Sequence, residues 1–166
     1  MKIELIDEAL LAETIARAEA SARGRTNHNF HPSLEDNPHR FLNVMRRGTY
    51  VTPHRHLDPP KSEAFVILRG TIAFFTFDDA GEIERAHLLG DPTQREHPYG
   101  IDIGPGVWHS LAPLSETVVC YEVKPGPYSV TNDKDFAPWA PREGSEGCAE
   151  YVAGLLRRSG ISSPDR

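Results

Sequence analysis

His54 and His56 stand two residues apart, Glu63 follows the short segment LDPPKS, and a third histidine, His109, lies further along in GPGVWHS. These residue types at this spacing suit metal coordination. Side chains alternate between the faces of an extended strand, so His54 and His56 project to one side, about 6–7 Å apart along it. Two imidazoles so placed can converge on one ion. The loop after His56 turns the chain back, and the run EAFVIL carries Glu63 at the head of a row continued by Phe65 and Ile67. A carboxylate heading an apolar row is costly to bury unless it meets a cation. His109 follows the tight turn Gly104-Pro105-Gly106 and shares a face with Val107 and Leu111. Three imidazoles and one carboxylate suit divalent Zn, Fe, Ni, Co or Mn, and the donor set alone does not choose among them. The rival reading has the paired histidines on a polar edge strand, His109 in the core, and Glu63 paired with Lys61 or an arginine.

Other residues offer a pocket around such an ion. Asn27, Asn29 and His31 alternate and would share a face with Arg25 in an extended chain. They either line a pocket or satisfy backbone groups in a long loop. Tyr50 has the parity of His54 and His56 and so points inward, as a pocket hydroxyl or as core. Glu122 and Lys124 lie two apart at a strand end. They either orient an acidic substrate or act as acid and base there, or form a solvated pair on an outer face. Lys61 and Tyr128 complete the candidates. His28, His39, His87 and His97 are expected to face solvent. No GxSxG, P-loop or GxGxxG feeding a helix is present, so serine-hydrolase, NTPase and dinucleotide chemistries lack support.

The elements that must position these residues are short strands. FLNVMRR, TYVTPHRH, EAFVILRG, TIAFFTFDD, ERAHLLGD, YGIDIG, VWHSLAP and TVVCYEVK alternate with turn signals, a pattern of sandwich or barrel rather than α/β. Asp78-Asp79-Ala80-Gly81 reads as a hairpin turn. Residues 7–22 read as a helix capped by Asp7, with Leu10, Leu11, Ile15 and Ala18 as its apolar stripe. Residues 23–40 read as an ordered loop or short edge strand. The tail after Lys124 is proline-rich, with Phe136 and Trp139 able to pin it to the barrel, and residues 146–158 read as a second helix. The division expected is 1–40 for helix and arm, 41–128 for the barrel, and 129–166 for tail and helix, all in one structural domain.

A formal net charge of −6 over 166 residues argues against a nucleic-acid partner, which would want a basic face. The N-terminus does not read as a signal peptide and no apolar run approaches a membrane span, so a cytoplasmic protein without a membrane partner is expected. Two cysteines make no disulfide framework, and Cys120 within VVCYEV reads as a buried thiol.

The frame Gly48, His54, His56, Glu63, Gly70 resembles the first motif of the cupin superfamily, with a longer gap than usual before Glu63. The second motif matches at Gly106 and His109, while Gly104 replaces its proline and Pro113 stands where it has asparagine. RTNHNFHPS, GTYVTPHRHLDPPK, GPGVWH, EVKPGPY and DKDFAPWAP, spanning Arg25 to Pro141, are similar to the WbuC family of cupin-fold metalloproteins. The resemblance implies an all-β double-stranded β-helix, a jelly-roll barrel with an N-terminal and a C-terminal helix. It also implies one divalent metal on His54, His56, Glu63 and His109, a homodimer, and association with O-antigen or other polysaccharide gene clusters. The expected function is that of a metal-dependent small-molecule enzyme of isomerase or oxygenase type, with an anionic or sugar-related ligand. Two alternatives stand beside it: a non-catalytic metal-dependent binding protein, and a metal-independent cupin resembling sugar-nucleotide epimerases.

Overall fold

Alternation of buried and exposed residues along each β run bends the chain into two facing sheets. The computed structural model describes residues 3–128 and 134–162. Helix α1 (Glu8–Ala20) leads into β1 (Arg25–Asn29), β2 (His39–Arg46), β3 (His54–Arg55), β4 (Glu63–Arg69), β5 (Thr71–Phe77), β6 (Ile83–Gly90), β7 (Gly100–Ile103), β8 (Trp108–Pro113), β9 (Thr117–Lys124) and β10 (Asp135–Phe136), and α2 (Cys148–Arg158) closes the order. One antiparallel sheet runs β1-β2-β9-β4-β7 and the other β10-β3-β8-β5-β6. This is the all-β jelly roll of the cupin type, with a helix at each end of the chain.

Burial follows the period of two. In β4, Glu63, Phe65 and Ile67 are buried while Val66 and Leu68 face out. The inner faces enclose Met45, Phe65, Ile67, Ile72, Phe74, Leu89, Val118 and Cys120. The core fills one end of the barrel and leaves the other to polar side chains. Each helix caps an outer face. Leu11 and Ala18 of α1 pack on Leu42, Val44 and Val119, and Leu155 and Leu156 of α2 on Phe75, Phe77 and Trp108. Asp7 accepts a hydrogen bond from Leu10 N and starts α1 where the sequence indicates. The segment 23–40 contains an edge strand, β1, paired with β2. Cys120 is buried and Cys148 half-buried, both as free thiols. No helix among the described residues is long and apolar enough to cross a membrane.

The tail is pinned by one of its two aromatics. Trp139 packs 5.1 Å from Phe77 and 6.1 Å from Trp108, ring centre to ring centre. Phe136 holds the tail less firmly: its ring centre lies 6.2 Å from that of His54, and the residue is 57% exposed. The Trp139 contact relies on Gly81, the turn glycine at φ 87°, where an added Cβ would lie 2.6 Å from the indole. Gly81→Ala should therefore destabilise the protein by about 2–4 kcal/mol, combining left-handed strain with overpacking against a rigid ring. A urea unfolding midpoint equal to wild type would overturn this account.

Candidate metal centre

The second sheet brings two histidines together directly, since His54 of β3 pairs in register with His109 of β8. His56 follows β3, and Glu63 opens β4 in the opposite sheet. The longer gap between them forms a loop closed by a bridge between Leu57 and Pro60, and Gly106 N donates to His56 O at 3.0 Å, tying that loop to the turn before His109. Gly106 adopts φ 78°, which a glycine accepts without strain. One ligand atom from each of His54, His56, Glu63 and His109 lies within 4.8 Å of the others, and all four residues are buried.

Local hydrogen bonds orient the rings. His54 Nδ1–H donates to Thr52 O at 3.0 Å and His109 Nδ1–H to Val107 O at 2.9 Å. Each bond fixes the tautomer that leaves Nε2 with its lone pair, the arrangement in which a histidine ligates a metal. Glu63 spans the other two imidazoles. Its Oε1 lies 2.8 Å from His109 Nε2 and its Oε2 3.3 Å from His56 Nε2. His109 Nε2 is buried and, despite this proximity, not aligned as a hydrogen bond to any described residue. A lone pair facing a carboxylate oxygen is stabilised by a cation between them, so the donor set fits a divalent ion. Burial alone would raise the Glu63 carboxyl, but His109 and His56 outweigh it and hold the group well below the usual range. Burial, reinforced by Lys134 and His109, holds the His54 imidazolium well below its usual pKa, so the ring stays neutral.

The cluster opens into a cavity of about 500 Å³ at the polar end of the barrel. Strand register explains its wall. Asn29, Phe41, Glu122 and Phe65 form one row across β1, β2, β9 and β4, and Asn27, Asn43 and Cys120 lie in the next. His39 pairs with Lys124 in a third row, one step beyond the Ala64–Val123 pair and so beside Glu63. Asn43 Nδ2 donates to Glu122 Oε2 at 3.1 Å. Burial and the charge of Glu63 push the Glu122 carboxyl up.

Arg25, Asn27, Asn29, His31, Glu122, Lys124 and Tyr128 line this cavity together with His54, Glu63 and His109. Tyr50 and Lys61 are buried and do not line it. Tyr50 OH donates to Pro141 O at 2.7 Å, and Lys61 Nζ donates to Pro127 O at 2.5 Å. Glu122 and Lys124 face inward and are buried, which sets aside their outer-face alternative. His39 also departs from its expected exposure. It is 3% exposed, stacked on His31 with ring centres 4.1 Å apart, and its Nε2–H donates to Leu34 O at 3.0 Å. Asn43, Ser110 and Lys134 line the cavity without having been singled out. Asn43 had a legible signal, as a polar residue between Phe41 and Met45 in an inward row, whereas Lys134 lies in a tail without periodicity.

The fold and this site permit comparison with known proteins. A family model described as a domain of unknown function, DUF6016, matches residues 6–89, a span that holds His54, His56 and Glu63 but not His109. No curated protein matches the chain. Among solved structures, the capsular polysaccharide assembling protein CapF from Staphylococcus aureus is similar at 18% identity with a TM-score of 0.56, over 70% of this chain and 32% of that one. The protein TT1209 from Thermus thermophilus is similar at 14% identity and a TM-score of 0.53, over 74% of this chain and 97% of that one. The cupin domain of Schizosaccharomyces pombe Cnp3 aligns at 13% identity and a TM-score of 0.46, over 61% of this chain and 60% of that one. The chain thus spans about a third of CapF, and the likeness to CapF and TT1209 is one of fold.

Proposed function

The chain belongs to the DUF6016 family, and from that premise we propose that it is a metalloprotein that holds one divalent ion on His54, His56, Glu63 and His109 and acts on a small molecule in the adjoining cavity. The observation that carries this reading is the set of inward donors: two histidines anchored through Nδ1 to backbone carbonyls, with their Nε2 atoms aimed at the region spanned by Glu63. A bound divalent ion would supply Lewis acidity toward an oxygen of the ligand.

The remaining chemistry belongs to the chain's own groups. Asn43 holds Glu122 through Oε2, and the raised carboxyl pKa lets Glu122 hold a proton in the pH range where Glu63 is ionised. Glu122 is accordingly the proton donor or acceptor facing the ligand. Phe41 and Phe65 wall the chamber and exclude water, and Arg25 is held by Tyr50 O and Glu143 at its outer end. Within this proposal the substrate is anionic or related to sugars, as the WbuC resemblance and the likeness to a capsular polysaccharide assembling protein support. A homodimer and a cytoplasmic setting belong to the same proposal.

Elemental analysis of untagged protein beside the His54→Ala variant tests it. About one ion per chain in wild type and almost none in the variant is expected. Wild-type protein that stays metal-free after incubation with Zn, Fe, Ni, Co and Mn in turn would refute it. Light scattering at micromolar concentration should return twice the chain mass, and a monomer would remove the dimer from the proposal.

A further inference from the structure

A second pair of histidines shares the cavity with the metal cluster. His31 follows β1 and His39 opens β2. Their rings are stacked, with centres 4.1 Å apart and planes 4° from parallel. Both line the cavity, at 6% and 3% exposure. Backbone contacts set the tautomer of each ring. Arg40 N donates to His31 Nδ1 at 3.2 Å, and Arg40 O, 3.0 Å from the same nitrogen, already accepts from Phe30 N at 2.9 Å. A proton on His31 Nδ1 would face the Arg40 N–H and orphan it, so His31 carries its proton on Nε2. His39 donates its Nε2–H to Leu34 O, which leaves a lone pair on Nδ1. Burial, against that bond, holds the His39 imidazolium below its usual pKa and keeps the ring neutral.

The stack therefore offers one N–H, on His31 Nε2, and one lone pair, on His39 Nδ1. No described residue hydrogen-bonds either atom, yet neither is sealed from solvent. An imidazole nitrogen lies closer to its ring centre than a bond length, so nitrogens of rings stacked this closely are within reach of one small ligand. A hydroxyl group matches such a pair, because it accepts one hydrogen bond and donates another. A carboxylate accepts only and would set its lone pairs against His39 Nδ1. An ammonium group donates only and would meet the N–H of His31.

We infer that His31 and His39 form a hydroxyl-recognition subsite on the cavity wall, so that the ligand is hydroxylated at the end remote from the metal cluster. The inference deepens the proposed function and rests on it for the neighbouring ion, but the subsite itself is made of the two imidazoles. His39 lies in the row beside Glu63, so a ligand held at the stack can extend along that row toward the cluster. One hydroxyl, or the two hydroxyls of a vicinal diol, would accept from His31 Nε2–H and donate to His39 Nδ1.

Long-range proton–nitrogen NMR spectra of protein labelled with nitrogen-15 at histidine test this, with zinc-loaded and metal-free protein titrated with butane-2,3-diol and 1,2-dimethoxyethane. The two probes are isomers, and the diol alone has hydroxyl protons. Both histidines should appear as Nε2–H tautomers. The diol should shift the His31 Nε2 and His39 Nδ1 resonances and bind about tenfold more tightly than the ether. His39→Phe keeps a ring against His31 and removes the acceptor, so it should lose that preference at unchanged zinc content. Should this variant not fold, the wild-type spectra decide. An Nδ1–H tautomer at His31, no shift at decimolar diol, equal response to the ether, or a folded His39→Phe variant with the full preference would overturn the subsite. A pair that only fastened the arm would show the two tautomers and no response to the diol. If zinc fails to load while metal-free protein keeps the diol-dependent shifts, the metal reading fails and the subsite stands. Zinc loading at one per chain with no such shifts has the opposite meaning.

Discussion

Glu63→Gln should weaken metal binding by at least tenfold. Glutamine keeps the size of the side chain and its reach toward His109 Nε2 and His56 Nε2, 2.8 and 3.3 Å from the present carboxylate oxygens. It removes the negative charge that balances a cation inside the barrel. His109→Ala should be more severe, exceeding the roughly 10–100-fold that losing an outer-shell partner costs, since it deletes a donor whose Nδ1 is already anchored to Val107 O. Competition against a chromophoric chelator measures both variants. Their stability separates a metal site from a buried ion pair. If Glu63 served only to pair with a protonated histidine, breaking that pair would cost about 3–5 kcal/mol. If its partner is a metal ion, metal affinity falls together with whatever stability the histidine contacts supply. A large loss of stability with metal affinity intact would end the metal reading.

How far the sequence leads can be judged residue by residue. The period-two row Glu63, Phe65, Ile67 is visible in the sequence and is buried as read, because alternation within one strand is a local property. The meeting of His54, His56, Glu63 and His109 is legible only through their spacing within a known motif, since it depends on β3 pairing with β8 and on Glu63 lying in the facing sheet. The cavity wall is harder to foresee. Asn29, Phe41, Glu122 and Phe65 come from four strands far apart in the chain, and only the register makes them one row. His39 reads as a surface histidine in a polar stretch, yet tertiary packing buries it. Its ring stacks on His31 and passes under Gly126, where an added Cβ would lie 2.9 Å from His39 Nε2 and 1.8 Å from Asp36 O. No local pattern marks that approach. Phe136 and Trp139 look equivalent in sequence, and the edge position of β10 decides between them.

Removing the metal should lower stability at neutral pH, and the metal-free protein should then weaken further as pH falls from about 6.5. A ligand present at a thousandfold above its dissociation constant contributes about 4 kcal/mol. For a chain of this size that corresponds to roughly 8–16 °C in unfolding temperature. The loss on acidification comes from histidines buried in neutral form, and Glu122, whose carboxyl burial and Glu63 push up, opposes it. Burial first, then Lys134 and His109, holds the folded pKa of His54 well below that of an unfolded histidine, and burial lowers His39 likewise. Between the folded and unfolded values the unfolded chain binds the proton and the folded one does not, so stability rises with pH there and is lost on acidification. The slope for His54 is at most about 1.4 kcal/mol per pH unit. Glu63, held low by its histidines, keeps its charge throughout this window and adds nothing until the pH falls below the ordinary carboxylate range. Urea midpoints of EDTA-treated protein at pH 7.5, 6.5 and 5.5 should therefore hold level over the first step and fall over the second, and His54→Gln should flatten the second. A His54→Gln midpoint that falls as steeply as that of wild type between pH 6.5 and 5.5 would mean that His54 is not held neutral in the folded barrel.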